Sequence, residues 1–377
     1  MSYKNFRSPG LILVLFVLIV FIAAGLSSPP ALSQPGDRSE FLQQPAVAPT
    51  PPARGDFPED SDDVIRVETN LTNIFFTAAD KSKRFINTLK QDDIRVYEDG
   101  KLQEVFTFQQ NIDLPLSVAL LLDTSVSVER TLPDEKAAAR SFLEAVVRSE
   151  KDEAAVISFT GEVVLEQGFS GSLARLRNAI DRVEFVPPAG YIGGGVVVGG
   201  SQGTPPIFGR NNTLAGNTAV WDAVWVASNE LFLESAQNTR RAIILLTDGD
   251  DTISQVKMQE AIESAQKADA FVYAIGIGDS YRGGVDQGAL RKIAERTGGR
   301  AYFPRSEQEL REAFAQIQSD LREQYLLAYS PSNKARDGSY REIKIEVVDP
   351  ELRKSLKLNY RPGYFAKTSD PVRATKP

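Results

Sequence analysis

Three apolar runs constrain this chain more than any other feature: Leu116 to Leu122, Ala242 to Leu246 and Phe271 to Ile277. A strand with one wet face alternates polar and apolar residues, whereas a strand covered on both faces reads as a near-continuous apolar run. Ala154 to Phe159 is a fourth such strand, Val163 to Leu165 a short edge strand, and Tyr302-Phe303 ends a last one. Helical patterns separate them. One runs from Pro133 to Val147, with Pro133 suited to a first turn. A second sets Leu173, Leu176, Ile180 and Val183 at helical spacing behind the N-cap residue Ser172. A third, Thr218 to Leu233, carries Trp221, Val224, Trp225, Ser228, Leu231 and Phe232 on one face. Others follow at Ser254 to Ala268 and at Asp286 to Thr297, the latter closed by Gly298. Ser306 and Glu309 form a capping box that opens a helix with Leu310, Phe314, Ile317 and Leu321 on its core side. Strands alternating with helices in this way predict an α/β fold with a doubly wound, mostly parallel sheet.

The flanks obey a different period. Val64 to Glu68 alternates, Asn73 to Thr77 is β-branched and aromatic, and Ile94 to Glu98 runs through the turn Asp99-Gly100 into Lys101 to Phe106. After Glu323 strands return at Tyr325 to Tyr329, Ile343 to Val348 and Leu356 to Tyr360. Either group alone leaves a bare sheet face and open edges. The simplest account is one smaller β-sandwich-like domain, residues 64–110 and 324–366, with the α/β domain at 114–323 inserted in it or flanked by it; two separate β units are the alternative. Residues 367–377 read as a disordered tail.

Ahead of the folded part, Lys4 and Arg7 precede an apolar run from Leu11 to Ala24, and small residues continue to Ser33. This layout predicts a secretory signal at 1–33, with a retained membrane anchor as the alternative. Residues 34–63 hold Pro35, Pro45, Pro49, Pro51, Pro52 and Pro58 and read as a disordered, proline-rich linker. The expected location is therefore secreted, periplasmic or cell-surface, with a membrane involved only through an uncleaved anchor.

Composition narrows the chemistry. Among 377 residues there is no His and no Cys. No imidazole can serve a Ser-His-Asp or Cys-His nucleophile, and the usual zinc sites and disulfide frameworks are excluded. Any metal must be held by oxygen, which favours Mg²⁺, Mn²⁺ or Ca²⁺. The net charge of −7 argues against nucleic acid as a partner. The glycine-rich stretch 187–216 has no helical period and reads as a long loop before Thr218.

Open α/β sheets bind ligands at the carboxyl ends of their strands. Three segments deliver oxygen donors to that edge: Asp123-Thr124-Ser125-Val126-Ser127 after Leu122, Thr218 at a helix start, and Thr247-Asp248-Gly249 after Leu246. D-x-S-x-S, a Thr ahead of a helix, and T-D-G together resemble the metal-ion-dependent adhesion site of von Willebrand factor A domains. The resemblance covers about Leu114 to Glu323 and implies a Rossmann-like domain. It also implies that Ser125, Ser127 and Thr218 approach a divalent cation directly or through water, while Asp123 and Asp248 act largely from behind. Val126 departs from the small residue usual there, and the insertion before Thr218 is longer than usual. The flanking strands and Arg361-Pro362-Gly363-Tyr364-Phe365 resemble a bacterial "VWFA-related" group.

Hydroxyl ligands are neutral, so a cation held by them keeps charge and an open position that an acidic side chain can complete. The expected function is a non-catalytic, divalent-cation-dependent protein-binding module, with Mg²⁺ favoured and a protein ligand that presents an acidic side chain. Alternatives are an assembly subunit that binds through the flanking β-domain, or a metal-dependent hydrolase built on the loops around Asp123 and Asp248. Asp250 and Asp251 read as a solvated turn, and Gly276-Ile277-Gly278 as close backbone packing rather than a phosphate loop.

Overall fold

In the apolar run Leu116–Asp123 (β5) every residue is buried, as a strand with both faces covered requires. The computed structural model describes residues 71–110, 113–187, 191, 217–236, 239–278 and 284–368, all within one compact unit, Arg66–Pro377. The signal or anchor, the linker, the strand expected at Val64 to Glu68, most of the loop 187–216 and nearly all of the tail lie outside the described residues. Among the described residues no helix is long and apolar enough to cross a membrane.

β5 lies inside a six-stranded sheet with Glu153–Phe159 (β6), Val163–Ser170 (β7), Arg240–Thr247 (β8), Ala270–Gly276 (β9) and Ala301–Tyr302 (β10). The order is β10-β9-β8-β5-β6-β7. All pairs are parallel except β6 with β7, which is antiparallel and irregular in register. That edge strand is longer than the Val163 to Leu165 segment expected, because pairing with β6 continues to Ser170.

Successive residues of a strand point to opposite faces, and both faces are filled. Val118, Leu120 and Leu122 pack with Leu132–Val146 (α1), Leu173–Arg182 (α2) and Glu307–Arg322 (α6). Ala119 and Leu121 pack on the other side with Val220–Asn229 (α3), Met258–Lys267 (α4) and Gln287–Thr297 (α5). Burial of each large aliphatic side chain in these layers contributes about 1.5–3 kcal/mol. Two helix boundaries differ from the sequence reading. The helix expected to Leu233 ends at Asn229 and tightens into a 3-10 turn at Leu231–Leu233, and Trp225 is half-buried while Trp221 is buried. The helix expected from Ser254 begins at Met258, because Ser254 is engaged with the start of α3.

The remaining strands form two antiparallel four-stranded sheets. One orders Leu356–Tyr360 (β13), Thr72–Asp80 (β1), Tyr325–Tyr329 (β11) and Val105–Gln110 (β4); the other orders Gly363–Phe365 (β14), Tyr340–Val347 (β12), Ile94–Glu98 (β2) and Lys101–Gln103 (β3). Strands from both flanks of the chain thus mix in each sheet, and Ile74, Phe76, Val96, Leu327 and Ile345 share one core. The segment Lys101 to Phe106 is not one strand, as its alternation suggested. It divides at Glu104, with β3 pairing β2 and β4 pairing β11. Buried Gln103 makes the turn self-sufficient: its amide donates to Lys101 O and its carbonyl accepts from Ser332 N. A short helix, Pro350–Ser355 (α7), was not foreseen; Asp349 caps it by accepting from Glu351 N and Leu352 N.

Candidate metal centre

In-register parallel pairing sets up the site. β5 and β8 align Leu122 with Leu246, so the next residues, Asp123 and Thr247, emerge side by side at the carboxyl edge. Thr247 donates its hydroxyl to Asp123 Oδ2 at 2.6 Å and accepts from Gly249 N at 3.0 Å. Asp123 Oδ1 accepts from Ser125 N at 2.8 Å. Thr124 pins the loop to the end of β6, with its amide and its hydroxyl both donating to Phe159 O. Beyond it Ser125 is extended and Val126–Val128 closes a single 3-10 turn. That turn puts Ser125 Oγ and Ser127 Oγ 2.9 Å apart. Val126 is partly exposed.

Asp248 arrives from β8. Its Oδ1 accepts from Asp250 N at 3.0 Å, and the Ser127 hydroxyl hydrogen-bonds to its carboxylate. Two glycines make this placement affordable. Gly249 sits at φ +82°, in the left-handed region that side chains disfavour. A Cβ on Gly278 would lie 2.8 Å from Asp248 Cβ, so the second glycine of Gly276-Ile277-Gly278 gives Asp248 its room. Close packing was the reading from sequence; its link to Asp248 was not visible there.

Four of the five expected donors, Asp123, Ser125, Ser127 and Asp248, are therefore joined by direct interactions. The fifth, Thr218, is buried and fastened through its backbone to the loop that follows Asp248. Thr218 N donates to Thr252 Oγ1 at 2.8 Å, and Thr218 O accepts from Thr252 N at 2.9 Å. Asp251, expected as a solvated turn, instead accepts from Val220 N at 2.9 Å and from Ser254 Oγ, while Ser254 accepts from Trp221 N. The acidic loop thus caps α3 in place of a local N-cap, since Ala219 has no side chain to do so.

The electrostatics leave negative charge uncompensated. Burial pushes the Asp123 carboxyl up to about 7, against the hydrogen bond from Thr247, and the charge of Asp248 pushes it the same way. Burial likewise raises Asp248, opposed by its hydrogen bond with Ser127. No cationic side chain is among the groups acting most strongly on either. Among the described residues no three His, Cys, Asp or Glu side chains cluster as a metal cage. A cation here must rely on hydroxyls, and hydroxyl and carboxylate oxygens are donors for a hard divalent ion. The residues present fit that ion.

Residues 210–316 match the family model of the von Willebrand factor type A domain. The chain carries a von Willebrand factor type A domain. The matched span includes Thr218 and Asp248 and begins after the Asp123 loop. No curated protein sequence matches the chain. Solved structures that match the chain include proximal thread matrix protein 1 from the mussel byssus. It is 19% identical at a TM-score of 0.43, over 60% of this chain and 51% of that one. The chain thus spans about half the length of the mussel protein, another structure of which has a zinc-occupied MIDAS motif, that is, a metal-ion-dependent adhesion site. A von Willebrand factor type A protein from Catenulispora acidiphila is 15% identical at a TM-score of 0.41, over 73% of this chain and 76% of that one. BatB, a conserved hypothetical protein from Bacteroides thetaiotaomicron, is 15% identical at a TM-score of 0.36, over 55% of this chain and 98% of that one.

Two groups near the A-domain's donor loop escaped the sequence reading in different ways. Thr247 stood inside the T-D-G motif, but nothing local said that its hydroxyl would hold Asp123. Glu135 did leave a signal: it falls at helical spacing with Leu132, Ala139 and Phe142, a charged residue on an inward face.

Proposed function

We propose that this protein is a non-catalytic, extracytoplasmic binding module that holds an acidic protein ligand through a divalent cation, Mg²⁺ foremost, at the carboxyl edge of its A-domain. One observation carries the reading. The buried carboxylates Asp123 and Asp248 are linked to a pair of serine hydroxyls 2.9 Å apart, and Ser127, the outer of the two, is partly exposed. Asp123 and Asp248 supply the balancing charge; Ser125, Ser127 and Thr218 supply neutral oxygens. A cation bound there supplies an open coordination position that a carboxylate from another protein can complete. The hydroxyl donors leave that position electrophilic without providing a base, which favours binding over hydrolysis.

The export signal read at residues 1–33 is the support for an extracytoplasmic location, with Mn²⁺ and Ca²⁺ as the alternative ions. The test is a pull-down on the immobilised protein from envelope and culture-supernatant proteins, in parallel with Mg²⁺ and with chelator. A partner retained only with Mg²⁺, and lost in Asp123→Ala, is the expected result. Retention unchanged by chelator and by Asp123→Ala would overturn the proposal and move the binding surface to the antiparallel sheets.

A further inference from the structure

Glu135 is fully buried on the inward face of α1, with no exposure at all. Its Oε1 accepts the Thr131 hydroxyl at 2.7 Å, and its Oε2 has no hydrogen-bond partner among the described residues. A buried carboxyl with an oxygen left without a hydrogen bond is costly in either protonation state, and more so if charged. Helix capping does not explain it. Glu135 is the fourth residue of α1, and its own N–H is already satisfied by Thr131 O at 2.9 Å. Nor does an ion pair: the groups that act on it most, after burial and Thr131, are the charges of Asp123, Asp248 and Asp134. Burial and these like charges push its carboxyl up to about 8.

Thr131, its only hydrogen-bond partner among the described residues, belongs to the donor loop's own continuation. Thr131 N and Thr131 Oγ1 both reach Val128 O, at the end of the 3-10 turn that carries Ser127. The side chain is thus fixed from the loop that presents Ser125 and Ser127, and it feels the charge of both carboxylates of the site.

We propose that Glu135 is a positioning carboxylate of the cation centre, one that braces the donor loop through Thr131 and strengthens cation binding through the charge it takes on when the cation is bound. The inference rests on the cation reading above. Glu135 then acts from outside the donor set, and the charge it adds favours ions of higher charge.

The experiment titrates the full chain with Mn²⁺, followed by calorimetry and by loss of the free-ion resonance signal, and repeats it with Tb³⁺. Glu135→Gln is expected to weaken Mn²⁺ about 10-fold, the lower end of what outer carboxylates contribute. The loss for Tb³⁺ should be larger, since the interaction scales with ion charge. The melting temperature of the metal-free variant should stay close to that of the parent at neutral pH, because the raised carboxyl is mostly protonated there and glutamine replaces it as a neutral isostere. Glu135→Asp, which keeps the charge, should retain most of the affinity and stands in should the glutamine variant fold poorly. Mn²⁺ affinity in Glu135→Gln within two-fold of the parent, or an equal loss in Glu135→Asp and Glu135→Gln, would overturn the proposal. Absence of Mn²⁺ and Mg²⁺ binding by the parent chain would instead remove the cation reading itself, so the two failures are distinguishable.

Discussion

Asp123 shows how one buried side chain ties stability to pH. Its carboxyl rises from an ordinary 3.8 to about 7 on folding. Between those values the folded state keeps a proton that the unfolded chain has released, so this group's contribution to stability falls as pH climbs through the window and is restored as pH drops. The metal-free protein should therefore lose melting temperature between about pH 4 and pH 7, and level off above, relative to Asp123→Asn, which carries no titrating group at that position. Saturating Mg²⁺ should flatten the difference, because the cation favours the ionised form. Melting curves of the two proteins at four pH values, with and without Mg²⁺, check this. Parallel curves for parent and variant would contradict the assignment. The same residue illustrates the value of register: Thr247 reaches it only because β5 and β8 align one step earlier, at Leu122 and Leu246.

At the scale of elements, the start of α3 is the informative case. A helix opening on Ala219 has no side-chain cap of its own, and its first amides are satisfied by Asp251 and Ser254 from the loop after β8. Thr218 stands just ahead of that helix and is held by Thr252 from the same loop. Cap and donor position are thus one structure. Asp251→Ala should cost about 1–2 kcal/mol of stability, in line with loss of an N-cap, and should also weaken Mn²⁺ binding because Thr218 loses its frame. Urea unfolding and a Mn²⁺ titration on the same sample test both halves. A loss of stability with unchanged affinity would separate the cap from the site. The helices α5 and α6, by contrast, carry their own caps at Asp286 and Ser306, which is why their starts were legible in sequence.

Across the whole molecule, the A-domain is fastened to the antiparallel sheets through buried polar contacts. Thr77 of β1 donates to Asp320 Oδ1 of α6 at 2.8 Å, and Arg300 lies 3.4 Å from the same carboxylate. Burial raises the Asp320 carboxyl more than Arg300 lowers it, so the pair is incompletely compensated. Asp320 Oδ2 and Arg300 Nε lack hydrogen-bond partners among the described residues. A second junction joins Asn359 to Gly298 O at 2.7 Å and Arg361 to Asp269. Removing one member of a buried pair leaves the other exposed to the full desolvation cost, about 3–5 kcal/mol, whereas a neutral isostere keeps the hydrogen bond. Asp320→Ala should therefore destabilise by about 3 kcal/mol and Asp320→Asn by less than about 1 kcal/mol. Denaturant titrations of both variants decide it; equal losses would show that the charge itself holds the junction.

Periodicity and end-of-strand motifs are local, so the sequence alone determined the parallel sheet, its two helical layers and the delivery of Asp123, Ser125, Ser127 and Asp248 to one edge. It did not determine which hydroxyl meets which carboxylate, since Thr247 and Asp123 are 124 residues apart. Nor did it show that Lys101 to Phe106 would divide between two sheets, that Asp251 would cap a distant helix, or that Glu135 would be buried with one oxygen lacking a partner among the described residues. Those outcomes depend on pairing register, and on which neighbours remove a polar group from water, and both exist only once the chain has folded.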